Sequence, residues 1–514
     1  MTIRLNEEAR DSSHGLYTGL GANIMAIRAA IGNSPDLVVK ELKWGGLWAG
    51  AVMYMDGMAD TKAIADFVIQ PLLTYDRDQS QAAVERGSQA LTHLMQEVLE
   101  AGDIDKIADF DALLHALLSG SCILLLDHLT EGLRIGMGGI EERSVGEPIT
   151  QTVIRGPMEA FTESFSTNTA LIRRRLKDPN LWLEVRQIGA VTKTNVGVMY
   201  LCGIVNEGLV DEVRSRLDRI EIDGILESGY IEEMIQDKTL TPFPLLTNTE
   251  RPDAVAAALL EGRVAIIVDG TPFVLLAPGL FVQYFQSVED YYQRWDISTL
   301  LRLIRFMSFF IALLAPSFYI AVTTFHQEML PTGLLISLAA QREGVPFPAF
   351  IEALLMEMTY EILREAGVRM PRTVGQAVSI VGTLVIGQAA VEAGIVSAGM
   401  VIIVSITAIA SYVLPQVSMS ITVRMIRFVL MGLAASFGLY GMLVGIIALF
   451  IHLCTLRSFG IPYMTPFAPL YVQDQKDTLF RLPWPLMKKR PSLLGRNNPV
   501  RQGDESSPVR GDTA

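Results

Sequence analysis

After Arg302 the chain turns apolar for lengths that match a lipid bilayer, so it can fold only as a soluble region joined to a membrane-embedded one. Residues 303–323 form such a run of about 21 residues, roughly 30 Å as a helix, which is the thickness of the hydrocarbon core. Residues 374–391, 395–414 and 428–454 are similarly long and almost free of charge, so four spans are expected. The 50% of hydrophobic residues is concentrated in this half.

Basic residues beside the spans set the expected orientation. Arg294, Arg302 and Arg305 precede or open the first run, and Lys488, Lys489, Arg490, Arg496 and Arg501 follow the last, which places both ends on the cytoplasmic side. Four crossings would leave Arg342, Arg364, Arg369 and Arg372 in an outside loop, against the same rule, so 329–340 is a candidate re-entrant or extra crossing. Residues 348–366 open after Pro346 and Pro348. In them Ile351, Leu355, Met358 and Ile362 share one helical face and Glu357, Glu361 and Arg364 the other. That polar face cannot meet lipid tails, so the segment is expected at the membrane interface or on a neighbouring helix, serving packing or gating.

In the second run Gln376, Ser379, Thr383 and Gly387 fall on one small, polar face, either for close helix packing or to line a pore. Glu392 ends that run beside Gly394, in an interfacial turn or facing a polar cavity. Gly441 and Gly445, with Gly438 a turn earlier, point to close helix contact.

The half before Arg302 contains an internal echo. Val52 to Gly57 resembles Val198 to Gly203, and Cys122 to Asp127 resembles Val264 to Asp269, in the same order. The expected fold class is therefore an α/β soluble region of two tandem related subdomains, 36–146 and 181–294, followed by an all-α transmembrane helix bundle at 295–456. Residues 1–35 and a basic tail at 457–514 are expected to be largely disordered, and 147–180 to form a helical linker ending in Arg173-Arg174-Arg175. With no apolar export signal at the N-terminus, the large region is expected to stay in the cytoplasm. Cys122, Cys202 and Cys454 give no disulfide framework. The net charge of −13 argues against nucleic-acid binding.

The chain has no phosphate loop, no His-Glu-x-x-His motif and no Gly-x-Ser-x-Gly elbow, so neither enzymatic activity nor a cofactor is expected. His326-Gln327-Glu328 lacks companion ligands at zinc spacing, and Glu221, Asp223 and Glu227 lack the calcium-loop pattern.

A set of ordered motifs carries more. Glu221 to Glu233, Thr249 to Asp253, Val268 to Phe273, Ser287 to Tyr292, Phe325 to Pro331, Gly344 to Pro348, Arg364 to Gly367 and Gly460 to Tyr463 together resemble the A-subunit type of the GerA spore germination family. The resemblance implies a membrane subunit of a nutrient germinant receptor in the spore inner membrane. Such a subunit acts with a permease-like B subunit and a lipoprotein C subunit, forms homo-oligomers in contact with membrane lipid and contributes to an ion-conducting path. The alternatives are a paralogous A-type subunit tied to dipicolinic-acid release, and a solute transporter. Pro278, Tyr291 and Tyr292 lie where the soluble half meets the first span and are expected to couple the two.

Overall fold

The computed structural model describes residues 15–44, 48–75, 88–139, 146–370, 387–495 and 497–503. It divides into two units: Met1–Gln236 with Asn248–Pro278 and Lys488–Val509, and Asp237–Thr247 with Gly279–Met487 and Arg510–Ala514.

The first unit contains one fold twice. α1 (Leu20–Ala30), β1 (Leu37–Trp44), β2 (Trp48–Met55), β3 (Ile104–Ile107), α2 (Phe110–Leu117), β4 (Cys122–Leu126) and β5 (Gly132–Ile135) build a sheet of order β1-β2-β4-β5-β3. After α3 (Phe165–Arg175) come β6 (Leu181–Ile188), β7 (Thr194–Leu201), α4 (Glu207–Leu217) and α5 (Ser228–Ile235). They are followed by β8 (Thr247–Thr249), α6 (Pro252–Leu260), β9 (Val264–Val268) and β10 (Val274–Ala277). The second sheet runs β6-β7-β9-β10-β8, the first order shifted by five. The echoed segments occupy equivalent strands, β2 with β7 and β4 with β9. Both sheets are antiparallel in their paired centres.

Alternation along the strands covers the first sheet on both faces. Ala51, Met53, Ile123 and Leu125 pack with α1 and α2, whereas Val52, Leu124 and Leu126 pack under helical turns at 61–74 and 88–98. Helix α1 corrects the expected disorder of 1–35. Leu16, Leu20, Ile24, Ile27 and Ile31 are buried in the first core, and their spacing is one helical stripe.

Helix α3, within the expected linker, joins the two subdomains. Ala170 enters the first core, while Leu171 and Ile172 enter the second. The buried Arg173 donates to both oxygens of Asp36 in the first subdomain and, from Nη1, to the carbonyl of Leu181 at 3.1 Å in the second. Ser166 donates to Asp56 at 2.8 Å. Gly57 follows β2 with φ +74°, and a Cβ there would lie 2.8 Å from the Ser166 carbonyl.

The second unit is mostly helical: α7 (Trp295–Thr324), α8 (Thr332–Arg342), α9 (Ala349–Arg369), α10 (Ala398–Tyr412) and α11 (Val417–Thr455). By length and composition, α7 and α11 are the two described helices able to cross a membrane, and α10 is a shorter apolar one. The expected last span, 428–454, is not one helix. Gly438 breaks α11 with φ 61° and ψ −143°, and a Cβ on Gly441 would lie 2.3 Å from the Leu433 carbonyl. Eight residues of straight helix would separate those positions by about 12 Å, so the chain reverses at Gly438 and α11 is a hairpin. Gly445 meets Leu430 on the same seam, the close contact its glycines imply.

Helix α7 and the first arm of α11 run one way, and α10 and the second arm of α11 run the other. The start of α7, the end of α10 and both ends of α11 share one end of the unit, where Phe306, Leu414, Met419 and Leu453 belong to one core cluster. Tyr319, Ala353, Met400 and Ala434 form a second cluster at the opposite end. Helix α9 therefore runs back toward the Arg302 end, pairing Glu357 with Arg427 and then Glu361 with Arg424. The segment 348–366, expected at the membrane interface or on a neighbouring helix, turns its polar face onto those arginines of α11. The 329–340 segment is the short helix α8, with no buried residue. The expected span at 374–391 lies outside the described residues up to 386.

Two boundaries shift. Residues 279–294, assigned from sequence to the second subdomain, pack with the helices, where Phe281, Tyr284 and Phe285 are core. The tail expected to be disordered from 457 is instead ordered through the described residues to 495. Tyr463 is fully buried against Phe243, Phe281 and Tyr284, and Leu494 is buried in the first unit.

Candidate functional site

At the start of α7, Arg302 and Arg305 occupy one helical face and converge on Asp290, which lies in the turn after Ser287. Arg302 Nε donates to Asp290 Oδ2 at 2.9 Å, and Arg305 Nη1 to both oxygens at 2.8 and 2.7 Å. Arg302 Nη1 also reaches Asp477 Oδ1 at 2.7 Å, and Tyr291 donates to Asp477 Oδ2 at 2.7 Å. The Arg302 guanidinium stacks 5.4 Å from the Tyr291 ring centre. Arg302 and Asp290 are both fully buried. Charges so placed hold only when paired, and loss of one partner costs about 3–5 kcal/mol.

Of the three proposed coupling residues, Tyr291 is part of this cluster. Tyr292 closes the same turn through its N–H to the Glu289 carbonyl at 3.0 Å. Pro278, after a cis peptide bond, falls in the other unit. Sequence reasoning missed Asp290, Arg302, Arg305 and Asp477 as a set. The signal available was Arg302 and Arg305 three residues apart on an apolar run, just after an acidic turn.

A second charged seam joins α9 to α11. Arg427 Nη1 donates to Glu357 Oε1 at 2.9 Å with both side chains fully buried, and Arg424 donates to Glu361. Arg364 approaches the same Glu361 oxygen at 3.9 Å. At the opposite end of α9, the buried Glu352 accepts from the Ser397 N–H and hydroxyl, placing a carboxylate at the α10 N-terminus, where the helix dipole favours it. The apolar residues Ile351, Leu355, Met358 and Ile362 are exposed on the outer side of α9. Glu357, Glu361 and Arg364 thus form an inner polar face.

Gln376, Ser379 and Thr383 lie outside the described residues. Gly387, the first described residue after 386, lies in the helix Gly387–Glu392 and is buried beside Val401. Glu392 is exposed at its end, accepts from Gln388 at 2.8 Å and precedes Gly394 with φ +68°. That is the geometry of a helix-ending turn.

Among the described residues no three His, Cys, Asp or Glu side chains cluster as a metal site would need. His326 packs on the Gly438 break, its Cε1 2.8 Å from where a Cβ would stand. In the first unit Glu227 caps α5, accepting from Ser228 and Gly229 and, at 3.0 Å, from Thr271. Burial pushes its carboxyl up, but these hydrogen bonds outweigh burial and leave it below the usual range. Glu232, one turn on, has burial and the Glu227 charge acting together and is pushed up to about 7.

The family model for the Bacillus/Clostridium GerA spore germination protein matches residues 25–493. The chain belongs to the GerA spore germination family. Among GerA relatives, Spore germination protein KA of Bacillus subtilis (strain 168) is 51% identical over 95% of this chain and 89% of its own length. The Uncharacterized membrane protein YfkQ of the same strain is 45% identical over 96% and 95%. The crystal structure of the N-terminal domain of the A subunit of the Bacillus megaterium spore germinant receptor GerK3 is 40% identical. It covers 52% of this chain and 98% of that one at a TM-score of 0.42.

Proposed function

We propose that this chain is the A-type membrane subunit of a nutrient germinant receptor, with its duplicated α/β unit in the cytoplasm and its helical unit in the spore inner membrane. Near-full-length identity to a spore germination protein carries this reading. The direction of α9 supports the orientation. Arg364 and Arg369 come to the Arg302 end of the bundle, so two of the four arginines that four crossings would strand outside gather with the other arginines, while Arg342 stays at the opposite end beside Glu352.

In this reading the subunit assembles with copies of itself and with permease-like and lipoprotein partners, and helps to form an ion path. The Asp290–Arg302–Arg305–Asp477 cluster with Tyr291 and Tyr292 transmits the signal at the start of α7, with Pro278 at the edge of the α/β unit. Gln376, Ser379, Thr383 and Gly387 are the proposed path-lining face, and Glu392 marks its edge.

The test uses spores deleted for their own A subunit and supplied with this chain together with a permease-like B subunit and a lipoprotein C subunit. Nutrient-triggered cation release is expected. Its absence with normal protein levels across amino-acid and sugar germinants would overturn the receptor reading, and loss of dipicolinate release alone would favour the paralog. Ser379→Leu or Thr383→Leu is expected to impair ion release without removing the protein from the membrane. Unchanged release would return that face to packing.

A further inference from the structure

The α9–α11 seam is unbalanced in charge and in hydrogen bonding. Two carboxylates, Glu357 and Glu361, face three guanidiniums, those of Arg364, Arg424 and Arg427. Arg364 and Arg424 share a single oxygen of Glu361, so two cations divide one anion. The donors are also incompletely used. Among the described residues, Arg427 Nε and Nη2, Arg424 Nε and Arg364 Nη1 are buried without a hydrogen-bond partner, and Arg427 as a whole is inaccessible. Each buried, unmade bond to a charged group is destabilising, and an unpaired charge within a helical bundle costs further.

Glu357 Oε2 and Glu361 Oε1 are unpartnered as well, so water could meet part of the deficit. Water cannot supply the missing negative charge. The other ion pairs of α9 add no net charge: Glu352 pairs with Arg342 of α8 at 3.9 Å at the far end of the helix, and Glu365 pairs with Arg369.

We propose that Arg364, Arg424 and Arg427 form a binding site for a small monovalent anion, a halide or a carboxylate, between α9 and α11. The anion bridges Arg364 and Arg424 beside Glu361 and completes the charge balance of the seam. Guanidiniums suit it because their forked donors accept a spherical halide or a planar carboxylate. Bound there, it ties α9 to the first arm of the α11 hairpin. Its occupancy then sets how firmly that contact is held.

The test is thermal unfolding of the full chain in lipid nanodiscs at fixed ionic strength, with sodium chloride or sodium acetate replacing sodium gluconate, whose bulk excludes it. A midpoint that rises with either anion and saturates is expected, since a ligand specific for the folded state stabilises it by mass action. Response to chloride alone identifies a halide site, and response to acetate alone a carboxylate site; each supports the proposal. In Arg364→Gln, whose side chain is 19% exposed and peripheral, the half-saturating concentration is expected to rise about tenfold or more. Glu361→Gln adds one net positive charge and is expected to shift it the other way. A wild-type midpoint indifferent to both anions, or the same anion dependence in both variants as in the wild type, would overturn the site and leave the seam filled by water only.

Discussion

At the scale of single residues, the second unit holds charges that are stable only in company. Asp290 serves two arginines at once, so Asp290→Asn should lower unfolding stability by about 3–5 kcal/mol, read as a drop in the thermal midpoint in detergent. Arg302→Met should cost less, because it removes a cation while Arg305 remains to pair with Asp290. If the two variants melt alike, the shared carboxylate is not the keystone of the cluster. Glu232 gives a different kind of test. Its carboxyl is held up at about 7, so between its ordinary unfolded range and pH 7 the folded chain binds more protons than the unfolded one. Stability from this residue is therefore full at low pH and lost as pH rises toward 7. Glu232→Gln should flatten that part of the stability profile, and an unchanged slope would contradict the assignment.

At the scale of elements, the informative cases are those where periodicity and partner disagree. Leu20, Ile24, Ile27 and Ile31 stand at helical spacing inside a segment, 1–35, that was expected to be disordered. The sheet it packs on decides otherwise. In α9 both faces were legible but not their direction, because only Arg424 and Arg427 on another helix reveal that the polar side turns in. The Gly438 reversal was hidden one turn before a Gly-x-x-x-Gly pattern, since nothing local distinguishes a glycine that packs from one that turns. Gly438→Ala should be costly twice over, through its positive φ and through the His326 contact at 2.8 Å. A loss of about 1–3 kcal/mol is expected. Loss of hydrogen-exchange protection confined to 430–445 would be its signature, whereas uniform loss would argue against a local hinge.

Across the whole molecule, duplication was the most readable feature, because buried central strands repeat their sequences while edge strands and helices diverge. What joins the two copies was not readable. Asp36 and Arg173 stand 137 positions apart, and their pairing depends on α3 lying between two cores. Arg173→Met should loosen the copies without melting either, seen as faster exchange in α3 and at the β6 edge with both sheets still protected. If both sheets lose protection together, α3 belongs to one cooperative core and is not a joint. The ordered stretch after α11 was invisible for a similar reason: Tyr463 is a core residue only once Phe243, Phe281 and Tyr284 are assembled around it.

The inward-turned polar face of α9 also bears on how the chain is made. Glu357 leaves the ribosome 70 residues before Arg427, the group that neutralises it. In the proposed membrane setting the helix until then carries an unpaired carboxylate that a bilayer resists, and it must wait at the membrane surface or inside the insertion machinery. Synthesis thus imposes an order in which the later hairpin draws the earlier helix into place. In nascent chains stopped before Arg424, a cysteine placed at Glu357 should react with a water-soluble thiol reagent, and in chains stopped after Thr455 it should not.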